Sequence, residues 1–393
     1  MATDPFITHT GTFIRRHRAA MARALSSMVS IRSHSGEEQR LARFIISLVR
    51  RNKQLFPGAV NITAVRGNIV IRIGGERAPI LFDAHLDTVP VADPDHWRYP
   101  PFSGRIVGGT VYGRGSCDDK ASVTAMLFTA ACLHHWVRSG STEHRRLATV
   151  FSFSTNEEIS LGGIRDVLRV VSPRAVVIGE PSNLRVVRGH KGKWAFRAVF
   201  SGRSAHASVP ERGDNAIYRA QQLVNAVQRT AMHARPVPPL GRPVCSVTGI
   251  ESQSNSINTI PAHCTVTVDY RSVVGETERS VRTRLLAGTS AAHCRIEPLH
   301  PFLPAWVLED DHPLLRAALA ASQAVTGRRS SAVLWPFCTN GSLTMGVRGI
   351  PTIGFGPGDP LRAHTTDESV PLRQVEEAAA WYALLARNAA DAL

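Results

Sequence analysis

Five short apolar runs constrain this chain most: "NIVIRI" (68–73), "PILFDAH" (79–85), "ATVFSFST" (148–155), "AVVIGE" (175–180) and "IPTIGFG" (350–356). Each has strand length and is too short for an ordinary helix. Helix-like segments at 120–137 and 160–171 lie between or beside them. Continuous apolar runs interleaved with helices predict buried parallel strands in an α/β sheet with both faces covered.

The middle of the chain follows another pattern. From Lys191 comes a strand, "KWAFRAVFSG", then a helix in "GDNAIYRAQQLVNAVQRT". The strands "VCSVTGIES" and "CTVTVDYRS", a helix in "ETERSVRTRLLAG" and a strand near "CRIEPL" complete the segment. That β-α-β-β-α-β order is ferredoxin-like and predicts an inserted α+β domain. The expected division is 1–186 and 301–393 for a mostly parallel-sheet domain, with 187–300 inserted; "PLHPFLP" (298–304) is the return connection and helix resumes at "HPLLRAALAASQAVTG". At 393 residues the chain exceeds one ordinary core, so two domains are the default.

No run of about 18 uncharged apolar residues exists, which argues against a membrane span. Arginines interrupt "FIRRHRAAMARALSSMV", so it reads as an amphipathic first helix, and Ser35-x-x-Glu38 reads as a capping box for the next. The six cysteines form no C-x-x-C pair, which argues against a zinc ribbon or disulfide framework and suits a reducing, cytoplasmic setting. The net charge of +15 is dispersed without a nucleic-acid recognition signature. It fits a positive field that draws in anionic substrates, and an acidic protein partner is compatible with it.

The ends of the runs carry the chemistry. In "ILFDAHLDTVP", Asp83, His85 and Asp87 occupy alternate positions and share one strand face. The third run leads into Glu157 and Glu158, the fourth ends at Glu180, and the fifth runs on to His364; Asp118 and Asp119 follow the turn "YGRGSC". Ligands in open α/β sheets bind beyond the carboxyl ends of the strands, so these groups are expected at one edge. Carboxylates gathered without cations repel and take up protons, whereas divalent ions resolve the repulsion. Two histidines with several carboxylates and no thiolate suit zinc, with cobalt or manganese as substitutes. Of the Glu157–Glu158 pair, set at a strand end and pointing opposite ways, one can ligate and the other can serve as general base.

These stretches, with "GEPSN", "GHKGKW", "GRSAHASVPERGDNAI" and "NSINTIPAHCTVTVDYR", resemble the zinc-dependent amidohydrolases and exopeptidases that include acetylornithine deacetylase, succinyl-diaminopimelate desuccinylase, aminoacylases and glutamate carboxypeptidases. The motifs keep the family's order from about Ser35 onward. The resemblance implies that His85 and Glu180 hold one metal, Glu158 and His364 the other, and Asp118 bridges both. It implies that Asp87 orients His85, and that Glu157 takes a proton from a metal-bridging water and returns one to the leaving amine. It also implies a cis peptide at Asp118–Asp119 and a homodimer formed through a lid domain. In that dimer His206 and Asn258 act across the interface, while Arg271 binds a substrate carboxylate. A surface histidine and an internal ion pair are the plain alternatives for His206 and Arg271. Thr339 and Asn340 stand in the family's substrate-binding loop, and Asn156 replaces an acid found in many relatives. The implied substrate is an N-acyl amino acid, with a dipeptide as the alternative.

Overall fold

In a computed structural model of the chain, the interleaved runs pair into one sheet. The structure describes residues 4–75, 79–140, 147–253, 256–287, 291–327 and 329–392. Two units are formed: one from Met1–Arg188, Leu308–Leu334 and Thr339–Leu393, the other from Gly189–Val307 with Trp335–Cys338. The sequence reading groups that last tetrapeptide with the C-terminal stretch instead.

In the first unit the strands lie in the order Asn61–Val65, Asn68–Gly74, Ala148–Ser154, Ile80–His85, Ala175–Ile178, Thr352–Gly354. The last four are parallel to one another. Asn68–Gly74, expected to be parallel, runs antiparallel both to Ala148–Ser154 and to its hairpin partner Asn61–Val65. An all-apolar run reports burial on both faces; it does not report direction.

Why these segments fold so is visible in their burial. Every residue of Ile80–His85 and Ala148–Ser154 is buried, with Phe82 stacked on Phe151 at 5.2 Å. Helix Lys120–Arg138 is buried from Lys120 through His134 and packs against Pro5–Val29 and Leu372–Ala392. Among its apolar neighbours, Trp381 stacks on Phe355 at 3.7 Å and donates its indole N–H to Ser322 Oγ at 2.8 Å. Aromatic side chains of this size bury on the order of 150–250 Å² each, so the sheet edge above them is rigidly based.

The second unit is the ferredoxin-like domain the middle segment predicts. Its sheet runs Val244–Gln253, His263–Arg271, Trp194–Ser201, Cys294–Pro298, all antiparallel, with helices Ala216–His233 and Glu278–Leu285. Gly288, at the end of the second helical segment, lies outside the described residues. Strict alternation in Trp194–Ser201 and His263–Arg271 puts Trp194, Phe196, Phe200, Val266, Val268 and Tyr270 into one core. Val244–Gln253 is an edge strand, with Val244 and Ile250 exposed.

Candidate metal centre

The parallel strands deliver their polar residues to one place. His85 ends its strand and is buried; its Nε2 lies 2.8 Å from Asp118 Oδ1 and 3.7 Å from Glu180 Oε1. His364, in a left-handed backbone conformation at φ 63°, places Nε2 2.9 Å from Glu158 Oε1 and 3.2 Å from Asp118 Oδ2. The Asp118 carboxylate thus faces both imidazoles, one through each oxygen. Donor atoms of His85, Glu157 and Glu180 lie within 4.8 Å of one another, as do those of His85, Asp118 and Glu158. Residues as far apart in the chain as His85 and His364 meet because each follows a neighbouring strand or an adjoining turn.

The backbone is shaped to allow this. Gly356 carries no side chain where a Cβ would come 2.4 Å from the Glu180 carbonyl oxygen. Asp118–Asp119 is a cis peptide. Buried Glu368 accepts the Cys117 and Asp118 N–H groups at 2.9 and 3.0 Å and pairs with buried Arg114 at 2.6 Å. Asp119 accepts the His85 N–H at 3.1 Å and makes no cap bond to the helix that follows it.

Asp87 does something other than hold the imidazole alone. His85 Nδ1 lies 2.9 Å from the Asp87 carbonyl oxygen, whereas the Asp87 carboxylate is 3.5 Å away. That carboxylate accepts the N–H groups of Glu157 and Glu158 at 3.0 and 3.1 Å and the Ser35 hydroxyl at 2.7 Å. The two glutamates sit at the start of a short helix, Glu157–Ser160, after Asn156 turns left-handed at φ 57°; they are not on a strand end. A helix start explains their divergence as well as strand alternation would. The N–H of Asn156 is taken by buried Glu38 at 3.0 Å. Ser35 and Glu38 therefore make no capping box, because the helix Gln39–Arg51 has no side-chain cap. Both serve the Asp87–Glu158 turn instead.

The charges of the cluster fit cations. Burial pushes Glu157 up to about 8 against the partial relief of His85, with the Glu158, Asp87 and Asp118 carboxylates adding to the rise. Burial and the Asp118 charge push Glu180 well above the carboxylate range. His364 is raised to about 10 by its hydrogen bonds to Asp118 and Glu158. Burial opposes the ionised form of Asp118, yet contacts from His364 and His85 hold it below the ordinary value. The cluster is tolerable only with protons on imidazoles and carboxylic acids, positions that divalent ions would take over. The donors are imidazole nitrogens and carboxylate oxygens. Cys117, next to Asp118, is held as a thiol by burial and by Glu368, with Sγ 3.4 Å from the Asp359 carbonyl oxygen.

Other expected residues lie elsewhere. Asn340 is buried and donates to Asp83 at 2.7 Å and Ser154 at 3.2 Å; Thr339 has no exposed surface and accepts the Gly341 N–H. Neither presents a surface to a substrate here. In the second unit His206 and Asn258 are exposed neighbours, with Asn258 Nδ2 3.5 Å from His206 Nε2 and Ser208 Oγ 2.7 Å from His206 Nδ1. Arg271 makes a two-pronged ion pair with Asp269, at 2.7 and 3.2 Å. The supporting contacts of Ser35, Glu38, Arg114, Asp119 and Glu368 are not foreseen by the sequence reading, which has Ser35 and Glu38 as a capping box. Of these, only Arg114, Asp119 and Glu368 stand inside recognised motifs, in "YGRGSCDD" and "TTDES".

Nitrogen and oxygen donors collected at the strand ends of such a sheet make a candidate centre for divalent ions. The model of Peptidase family M20/M25/M40 matches residues 81–388, and the chain belongs to that family, as a hydrolase of amide bonds. It is 28% identical over 394 residues to the uncharacterized protein YgeY of Escherichia coli (strain K12), covering 94% of each chain. It is 26% identical over 371 residues to an acetylornithine deacetylase of Edwardsiella ictaluri (strain 93-146), covering 89% of this chain and 91% of the relative. Among solved structures, the Bacillus subtilis YXEP protein, a dinuclear metal binding peptidase from the M20 family, superposes with a TM-score of 0.72 at 18% identity, over 96% of this chain and all (100%) of the other.

Proposed function

We propose that the enzyme hydrolyses the amide bond of an N-acyl amino acid with the help of two divalent ions, zinc being the first choice for this donor set. The observation that carries the reading is the Asp118 carboxylate, set between His85 at 2.8 Å and His364 at 3.2 Å. His85, Asp118 and Glu180 would hold one ion, and Asp118, Glu158 and His364 the other. Such ions lower the pKa of a bound water to about 7 and polarise a carbonyl oxygen.

Glu157 has no ligand duty in this scheme. Buried beside the two ions, whose charge would keep its carboxylate ionised, it would accept the proton of the attacking water and pass it to the leaving amine nitrogen. Asp87 fixes Glu157 and Glu158 through their peptide nitrogens, so base and ligand are positioned together. His206 and Asn258, adjacent in the second unit, donate to the carbonyl oxygen of a substrate held by a partner copy. Arg271 takes the substrate carboxylate, exchanging it for Asp269. The homodimer forms through the second unit, whose strand Val244–Gln253 pairs with His263–Arg271 on one side and lies at the sheet edge on the other. Six cysteines without a C-x-x-C pair favour a reducing, cytoplasmic setting.

A panel of acetyl, succinyl and longer acyl amino acids, set against dipeptides, tests the substrate class on zinc-loaded enzyme. Faster turnover of acyl amino acids is the expected result. Preference for dipeptides would replace deacylase by dipeptidase, the reading that likeness to a peptidase such as YXEP favours.

A further inference from the structure

Away from the metal centre, the first unit carries a second cluster of titratable side chains. Helix Pro5–Val29, the end of helix Lys120–Arg138 and the Lys53–Gln54 turn enclose a groove of about 840 Å³. Three imidazoles surround the buried ring of Phe13: His17 at 4.4 Å, His135 at 5.1 Å and His9 at 6.2 Å between ring centres. Arg16 and Lys53 line the same groove. A second cavity of about 550 Å³ shares Lys53 and Gln54 and adds Arg51. Among the described residues that line the two, there is no aspartate or glutamate.

This positive charge is left without a partner. Arg18, on the same helix, pairs with Glu376 at 2.8 Å, whereas Arg16, Arg51 and Lys53 have no carboxylate within reach among the described residues. The Thr12 hydroxyl, which accepts from Arg15, keeps its O–H as a donor in the lining. His9 and His135 each point Nε2 at a backbone carbonyl, Cys132 at 3.3 Å and Gln54 at 3.0 Å, which fixes the rings and directs Nδ1 elsewhere. Three cationic side chains, Arg16, Arg51 and Lys53, gathered at adjoining cavities with no counter-charge among the described lining residues, suit a compact anion carrying several charges.

We propose that this groove binds an oligophosphate: a chain of phosphoryl groups, free or borne by a nucleotide. Its position is separate from the metal centre. Helix Lys120–Arg138 begins beside Asp118–Asp119 and brings His135 to the groove near its other end, a span of about 28 Å for the whole helix.

Calorimetric titration of the metal-loaded enzyme with sodium tripolyphosphate and with ATP at about 150 mM salt, the physiological range, tests the assignment. The groove variant is Arg16→Ala with Lys53→Ala, and the comparison variant is Arg40→Ala with Arg43→Ala, on exposed positions outside the groove. Both should fold, since all four side chains are exposed. Chelation of the ions by phosphate contributes equally to every protein. Saturable binding that weakens at least about tenfold in the groove variant and stays unchanged in the comparison variant is expected, since two charge-assisted contacts are lost. Equal affinity for both ligands would make the phosphate chain the whole ligand, and tighter ATP binding would add the nucleoside; both support the proposal. Binding that is absent, or that survives the groove substitutions, would overturn it.

Discussion

Replacing Asp87 by Asn removes one acceptor oxygen from the point where the catalytic turn is anchored. Asp87 has no exposed surface, and its two oxygens serve the Glu157 N–H, the Glu158 N–H and the Ser35 hydroxyl. The Ser35 hydroxyl can rotate to accept from an amide; the peptide N–H groups cannot. Whichever way the introduced carboxamide is turned, one glutamate N–H faces its NH₂ group. A buried donor left unpaired costs about 1–3 kcal/mol, and the remaining bonds lose their ionic character, so the total is roughly 2–4 kcal/mol. Because Glu158 loses its anchor, zinc affinity should also fall by about 10–100-fold. Burial opposes the ionised form of Asp87, but contacts from His85, Ser35 and the Glu157 N–H hold its pKa below the ordinary value. Its stabilisation is therefore present above the unfolded pKa of about 3.9 and lost as pH falls through the folded value. Urea unfolding of the metal-free Asp87→Asn protein, followed from pH 7 downward, should show the deficit at neutral pH and its disappearance in acid. A neutral-pH deficit under about 0.5 kcal/mol with unchanged zinc affinity would refute the reasoning.

Glu157→Ala should retain both ions by elemental analysis yet lose at least about a hundredfold in turnover; near-normal turnover would remove Glu157 from proton transfer. His206→Ala should impair catalysis without emptying the metal centre, and mixing it with Glu157→Ala should restore part of the activity if His206 works across a dimer. Zinc binding at pH 7 should release at least about two protons, from His85 and His364 with the raised Glu180 and Glu157 carboxyls adding to the release, and tighten as pH rises. Calorimetry in buffers of different ionisation enthalpy measures that release, and a value near zero would contradict the raised imidazoles.

The sequence made the α/β sheet and the ferredoxin-like unit legible, because burial and period are written locally. Its reach ended where partners are distant. The spacing of Ser35 and Glu38 matches a capping box, but Asp87 and Asn156, 52 and 118 positions away, take those side chains. Arg114 and Glu368 form their buried pair across 254 positions, which no local pattern can reveal. The direction of Asn68–Gly74 was hidden because apolar runs look alike in parallel and antiparallel neighbours. That His85, Asp118, Glu158, Glu180 and His364 come together was expected, since each follows a strand or turn whose end could be placed; their sharing between two ions is implied by the family resemblance alone. Asn340 was not: its motif suggests a substrate contact, while in the structure it donates to Asp83, whose own burial raises its carboxyl to about 6 against the lowering by Ser152 and Asn340.

The most direct measurement is the number of zinc ions held per chain by the wild type and by Asp118→Ala after dialysis. With the Asp118 carboxylate shared between two sites, the wild type should hold about two ions and the variant should lose affinity for both. One ion in the wild type, or two retained by the variant, would contradict a shared aspartate.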